Sequence, residues 1–244
     1  VNAALNWQFA LVLRMIGGLE RWCGEPELAA RAERIAGELA ARLSSVFWDA
    51  EKNLFADDPS HRFFSQHTQC MAVLSGLISP PHREALRQSL AAENGALAST
   101  SIYFTHYLFE TLRELDLEAE WHRRLGPWFQ LESQGFVTMP ESPEPSRSDC
   151  HAWGAHPIFH SYATLLGIRP AAFGFRKVRI APFPGPLRDL SCQLVHPEGF
   201  IEVHLVRTQD RLAASVELPQ GVDGTFVWNG KTVPLSSGRQ ELTF

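Results

Sequence analysis

Between Thr138 and Pro157 the sequence reads TMPESPEPSRSDCHAWGAHP, and this segment gathers the residue types that carry chemistry. Glu141 and Glu144 lie on a stretch stiffened by Pro140, Pro143 and Pro145, and His151, Trp153 and His156 follow. A carboxyl group can protonate a leaving oxygen or activate a water. An imidazole hydrogen-bonds hydroxyls, and an indole offers a flat apolar face. Together these types suit work on a sugar ring. Each also has a plainer reading. Glutamates in a polar loop are more often solvated charges, and a tryptophan at a helix start is more often core. His151 could merely adjoin Asp149, a good N-cap type.

Other chemistries find little support. His156 and His160 are four apart and could share a metal on one helix face. Pro157 lies between them and no third ligand is near in sequence, so neither a metal nor a cofactor is expected. His67, His106 and His122 read as isolated, either structural or exposed. Cys23, Cys70, Cys150 and Cys192 are widely spaced without a C-x-x-C pair, which reads as buried or semi-buried free thiols. There is no G-x-S-x-G elbow and no phosphate-binding glycine loop. Arg176, Lys177 and Arg179 read as a solvated strand face or a domain-joining patch. A net charge of −5 and a pI near 6.1 argue against nucleic acid as a partner. No apolar run is long enough for a membrane span.

These residues must be placed by the elements around them, and the apolar pattern divides those elements into two regions. Residues 1–168 carry helical periodicity. The stripe Leu5, Phe9, Leu13 and Ile16 begins almost at once after Val1, with no capping residue, as expected of a helix cut from something longer. Further stripes are Leu28, Ala32, Ile35, Leu39 and Leu43; Cys70, Val73, Leu74 and Leu77; and Leu86 with Leu90. Tyr103, Tyr107, Leu108, Leu112 and Leu115 follow, then Trp121, Leu125 and Trp128. Phe159, Tyr162, Leu165 and Leu166 form the last, closed by Gly167. Short turns between them indicate antiparallel helix pairs. The two long irregular stretches, Trp48–Phe63 and Gly135–Asp149, are the places such an array puts function.

After Pro170 the period becomes two. Ile201, Val203 and Leu205 alternate with Glu202 and His204, and Leu212, Ala214, Val216 and Leu218 alternate likewise. Asn229-Gly230 between Trp228 and Lys231 predicts a type I′ hairpin. Residues 171–244 therefore read as a small antiparallel β-sandwich. With no fixed sequence period, the helical part suits a closed ring of hairpins better than a solenoid. About seven helices are counted, roughly half of a six-hairpin ring. The expected fold is mainly α with a β-domain: a partial (α/α)6 toroid followed by the sandwich.

RSDCHAWGAHP, followed by LLGIRPAAFGFRKVRIAP, resembles the C-terminal end of α-L-rhamnosidases of glycoside hydrolase family seventy-eight. HPEGFIEVHL, VELPQG and GTFVWNGK are similar to that family's closing β-domain, and FFSQHTQCMAVLSGL and SIYFTHYLFETL to two of its barrel helices. The resemblance implies an (α/α)6 toroid that hydrolyses terminal α-L-rhamnosides with inversion and without a cofactor. The family's general base lies in a Thr-x-x-Glu pattern, which Thr138-Met139-Pro140-Glu141 matches, so it implies Glu141 as base, with Glu144 as the alternative. It implies a sugar contact at His151, and Trp153 and Glu144 join it as candidate substrate-binding residues. Pro140 stands where the family often has an aromatic.

The resemblance also implies a general acid in an Asp- and Arg-rich segment of the toroid's first half. Nothing like it occurs here, and Asp57 and Asp58 lie on the wrong hairpin to replace it. The chain alone is therefore expected to be weakly active or inactive, and to need the N-terminal half of the same enzyme. A non-catalytic carbohydrate-binding relative is the alternative, and a helical scaffold without a sugar site is a third reading.

Overall fold

The computed structural model describes residues 2–92, 97–209 and 211–244. Val1 lies outside them. The chain forms two compact units. One comprises residues up to Trp121 together with Pro140–Trp153, and the other comprises His122–Met139 and Gly154–Phe244.

The first unit is helical. Helix α1 (Ala3–Trp22) is capped by Asn2, whose Oδ1 accepts from the Leu5 N–H at 3.0 Å. The expected uncapped start is thus corrected: the cap is the residue type that satisfies a free first-turn N–H. Helix α2 (Pro26–Phe47) begins with proline in its first turn, where a missing N–H costs nothing. The α1 face that is buried is Ala3, Trp7, Ala10 and Gly17, not the predicted stripe, because small side chains let two helix backbones approach. A Cβ on Gly17 would stand 3.3 Å from the Ala29 carbonyl oxygen. On α2 the buried face is likewise the alanine row Ala29, Ala32, Ala36 and Ala40, continued by Leu43 and Phe47, and Leu28 is exposed.

Helix α3 (Gln66–Ser75) is buried over most of its length and stops at Gly76, whose φ of 67° is the left-handed cap conformation. A Cβ there would collide with the Arg14 guanidinium, whose Nη2 donates to the Leu74 carbonyl at 3.3 Å. The irregular stretch after α2 holds a small hairpin, β1 (Trp48–Asp49) with β2 (Leu54–Phe55). Gln69 on α3 clamps it: its Oε1 accepts from the Phe55 N–H at 2.9 Å and its Nε2 donates to the Phe55 carbonyl at 2.8 Å. Helices α4 (Pro80–Ala91) and α5 (Thr105–Glu114) follow, and Trp7, Phe47, Phe55, Phe109 and Trp121 are fully buried in this unit. The expected helix through Trp121, Leu125 and Trp128 is instead two short ones, α6 (Glu118–Arg123) and α7 (Gly126–Phe129), broken where Pro127 enters.

In the second unit, α8 (His156–His160) passes into a single π-helical segment, Ser161–Leu165, and ends at Gly167 with φ 70°. Next come β3 (Ile168–Pro170), β4 (Lys177–Ile180), β5 (Asp189–His196), β6 (Gly199–Arg207), β7 (Leu212–Leu218), β8 (Asp223–Trp228), β9 (Lys231–Leu235) and β10 (Gly238–Thr243). They make two four-stranded sheets, ordered β10-β7-β6-β5 and β3-β4-β8-β9. The alternation read in the sequence holds: Ile201, Val203, Leu205 and Val216 meet Ile180, Val178 and Phe226 of the other sheet in one apolar core. The Asn229-Gly230 turn has positive φ at both residues, as type I′ requires. One expectation fails. β4 and β8 pair in parallel, Val178 against Gly224, so that sheet is mixed. Three strands of the other sheet, β5 to β7, intervene between them in the chain, and a long crossover frees neighbours from the antiparallel geometry that a tight hairpin imposes.

All four cysteines are free, as expected, but Cys23 and Cys150 are exposed rather than buried. Burial pushes the Cys192 thiol up to about 11. Among the described residues no helix is long and apolar enough to cross a membrane. Phe226 is fully buried and stacks on Phe244 with centroids 5.2 Å apart. Phe226→Ala is expected to destabilise the β-unit by about 3–5 kcal/mol, the usual cost of an emptied aromatic core site, measured by urea unfolding.

Candidate functional site

The segment Pro140–Trp153 belongs to the helical unit and has no helix or strand until its last two residues. It closes on itself. The Glu141 N–H donates to the Ser148 carbonyl at 2.8 Å, and the Ser146 hydroxyl donates to the same carbonyl at 2.9 Å. The Ser146 N–H donates to a Glu144 carboxylate oxygen at 2.9 Å, which spends the alternative base on its own turn, at an exposed position.

Glu141 has the opposite setting. Its side chain is only 12% exposed. Arg147, itself 82% exposed, donates from Nε to Oε2 at 2.9 Å and from Nη2 to Oε1. This is the two-pronged guanidinium–carboxylate pair that fixes a carboxyl in one plane. The Arg147 hydrogen bonds hold the Glu141 carboxyl below the usual range. Partial burial works against them, while the charges of Arg147 and His151 lower it further. Glu141 therefore lies within electrostatic reach of His151.

His151 and Trp153 do not cap or fill a helix core. Their rings lie against one another at a tilt, with centroids 3.9 Å apart and 36° between planes. From Trp153 the contacts continue to Tyr103 at 5.2 Å, to Tyr107 at 6.1 Å, to Phe104 at 4.9 Å and to His67 at 4.2 Å. Trp153 and Tyr103 keep 39% and 43% of their surface open. The file is set by the turn before α5. Gln66 Oε1 accepts from the Thr100 N–H at 3.0 Å, and Thr105 Oγ donates to the Ser101 carbonyl at 2.8 Å. A hydrogen bond shared with Tyr103, together with burial, raises the Tyr107 hydroxyl above its ordinary pKa. His67 is the reverse case. Burial lowers it, and the Asp57 carboxylate, which accepts from Ser65 Oγ at 2.8 Å, pulls the other way.

The structure thus brings Glu141, His151 and Trp153 together and leaves Glu144 to one side. Sequence reading missed Arg147, Tyr103, Tyr107 and His67. His67 is not isolated, and neither is His106, whose ring meets Tyr107 at 5.2 Å. The signal was the density of aromatics in SIYFTHYLF, more than one buried stripe can use. In the β-containing unit His156 and His160 stand edge to face at 5.7 Å, and His160 Nδ1 is hydrogen-bonded to Thr164 Oγ1 at 2.9 Å. Lys177 is paired with Asp223 at 3.3 Å, so at that residue the basic strand face is an exposed ion pair.

Residues 167–242 match the family described as the bacterial alpha-L-rhamnosidase C-terminal domain. No curated protein matches the chain significantly. Among solved structures, the family 78 rhamnosidase of Bacillus sp. GL1 matches over 93% of this chain at 23% identity and a TM-score of 0.84. The Streptomyces avermitilis alpha-L-rhamnosidase, solved with L-rhamnose, matches over 98% at 16% identity and 0.78. The alpha-L-rhamnosidase of Dictyoglumus thermophilum matches over 95% at 14% identity and 0.74. The chain spans 26%, 26% and 30% of those proteins respectively. The resemblance read from the sequence is borne out: the fold is that of a rhamnosidase C-terminal portion.

Because Arg147 holds Glu141 below its ordinary range, the carboxylate stays ionised to lower pH than a free glutamate. The pair's contribution is present above the unfolded pKa and is lost as pH falls through the lowered one. Arg147→Gln is expected to move the Glu141 titration, followed by carboxyl carbon NMR, to higher pH. An unmoved midpoint would mean that Arg147 does not set it.

Proposed function

We propose that this chain is the C-terminal portion of an inverting glycoside hydrolase that releases terminal α-L-rhamnose, with Glu141 as its general base. Residues 1–168 supply half of a six-hairpin (α/α)6 toroid and residues 171–244 the closing β-sandwich. The observation that carries this reading is one grouping: a recessed carboxylate near an imidazole, at the end of a half-open row of aromatic rings.

In the reaction, the Glu141 carboxylate takes a proton from a water as that water attacks the anomeric carbon. An acid on the toroid's N-terminal half protonates the leaving oxygen from the opposite face. Inverting enzymes keep two such carboxyls roughly 6.5–9.5 Å apart to leave room for the water. Trp153 offers its face to the apolar side of the sugar, and His151 hydrogen-bonds a hydroxyl. Glu144 borders the substrate. Arg147 must release one carboxylate oxygen before Glu141 can accept a proton there, and its own exposure lets the guanidinium swing into solvent.

That same pairing favours the second reading, a non-catalytic carbohydrate-binding relative. With both carboxylate oxygens engaged, Glu141 and Arg147 form a rigid hydrogen-bonding edge for sugar hydroxyls and need not transfer a proton.

The two readings part on turnover. On p-nitrophenyl α-L-rhamnoside, the 244-residue chain is expected to be weakly active or inactive, and a polypeptide that includes the N-terminal half active. Glu141→Gln in the longer protein is expected to lower kcat by about 10²–10⁴, the usual loss on removing a general base. Full activity in that variant would remove Glu141 from the role. Binding of L-rhamnose by calorimetry without any turnover in the longer protein would favour the binding relative. In either case Trp153→Ala is expected to weaken rhamnose binding, and unchanged affinity would exclude the stacking role.

A further inference from the structure

The outer face of the sheet β10-β7-β6-β5 carries two adjacent rows of polar side chains. One row runs Gln193, Glu202, Glu217, Arg239, and the other Ser191, His204, Ser215, Glu241. Their flanks are pinned. Gln193 Nε2 donates to Glu202 Oε1 at 2.7 Å. Ser215 Oγ and Arg239 Nε both donate to Glu241 Oε1, at 2.8 and 3.2 Å. His204 Nε2 is bonded to Asp189 Oδ1 at 2.9 Å. A carboxylate only accepts, so that nitrogen carries a proton and Nδ1 is the one left for a ligand. The middle of the face stays open, as a cavity of about 140 Å³ whose polar lining is Ser191, Glu202, His204, Ser215, Glu217 and Arg239.

One feature of this cavity works against the fold. Glu202 and Glu217 stand directly opposite each other on β6 and β7. Like charges in that position destabilise a sheet. Among the described residues the Glu217 side chain has no hydrogen bond or ion pair that would offset this. A chain that keeps a locally unfavourable pair in an open cavity has placed it there for a ligand. The lining decides which kind. A small anion would face Glu202 and Glu217, a metal ion would face Arg239, and an apolar group would strip water from all of them. A sugar hydroxyl both donates and accepts, and this lining alternates acceptors with donors. An apolar edge adjoins it: Phe200, two residues before Glu202 and 49% exposed, lies opposite Val195, 75% exposed. We propose that this cavity is a carbohydrate-binding site of the β-unit, which takes a neutral pyranose with its hydroxyls on Glu202, Glu217, His204 and Arg239 and its apolar side toward Phe200. That the pyranose is rhamnose rests on the function proposed above; that it is a neutral sugar rests on the cavity alone.

Amide NMR of the 244-residue chain tests it, in a Trp153→Ala background that takes the loop's sugar contact out of the measurement. L-rhamnose, D-mannose and D-galactose are titrated separately, with phosphate and calcium chloride as the competing ligand classes. The expected result is saturable shifts at Ser191, Glu202, His204 and Ser215 with L-rhamnose. Glu217→Ala is expected to weaken that binding about tenfold, the size of a lost hydrogen bond to a charged group, while the urea midpoint stays the same or rises. Shifts with D-mannose or D-galactose but not L-rhamnose keep the site and detach it from the rhamnoside reading. So does rhamnose binding here in a protein whose longer form hydrolyses no rhamnoside. No saturable shift with any of the three sugars, a response to phosphate or calcium alone, or sugar binding unchanged by Glu217→Ala overturns the proposal.

Discussion

Arg147 joins both oxygens of Glu141, and the conformation of residues 140–153 depends on that pair. The segment has almost no regular secondary structure, so its backbone cannot be ordered by a helical or sheet ladder. Proline at 140, 143 and 145 narrows what each residue can adopt, and the Glu141–Ser148 backbone bond closes the turn. The guanidinium then fixes where the carboxylate points. From that fixed point the chain delivers His151 and Trp153 onto the Tyr103 ring, and the aromatic row continues into α5 and α3. Gln66 and Gln69, both buried on α3, bind the two neighbouring irregular stretches to that helix.

The same pair sets the chemistry. A carboxylate stabilised by a guanidinium is kept ionised, which a base requires, but it is also made a weaker proton acceptor. Catalysis and binding therefore make different demands on Arg147. A binding site gains from leaving it in place, whereas a hydrolytic site needs it to swing aside when substrate arrives. Its position on the solvent side of the pair, with Glu141 recessed, permits the second without unfolding the loop.

The β-unit was the most legible part of the sequence. Period-two alternation in Ile201–Leu205 and Leu212–Leu218 shows directly which residues face the core, and Asn229-Gly230 admits little besides a type I′ turn. Strand partners were less legible, because alternation says which side a residue faces and nothing about which strand lies beside it. The parallel β4–β8 pair was lost for that reason. In the helical unit the misreading of α1 is instructive. Leu5, Phe9 and Ile16 are larger and more apolar than Ala3, Ala10 and Gly17, so the pattern favoured them as the buried face. Close helix contact rewards small residues instead, and apolar periodicity cannot choose between two apolar faces. At the site, Glu141, His151 and Trp153 were visible because they crowd one segment. His67 comes from α3, Tyr107 from α5 and Tyr103 from the turn before it, and they meet the segment only through the fold, so no spacing within residues 138–157 could reveal them.

The central claim is that the proline-braced loop offers Glu141 to a sugar resting against its neighbouring rings. A crystal structure of the longer polypeptide with L-rhamnose bound tests this most directly. The account predicts the sugar in contact with His151 or Trp153, Glu141 turned toward the anomeric carbon with one water between them, and at least one Arg147 hydrogen bond broken. Rhamnose seated away from residues 140–153, with the Glu141–Arg147 pair unchanged, would contradict it.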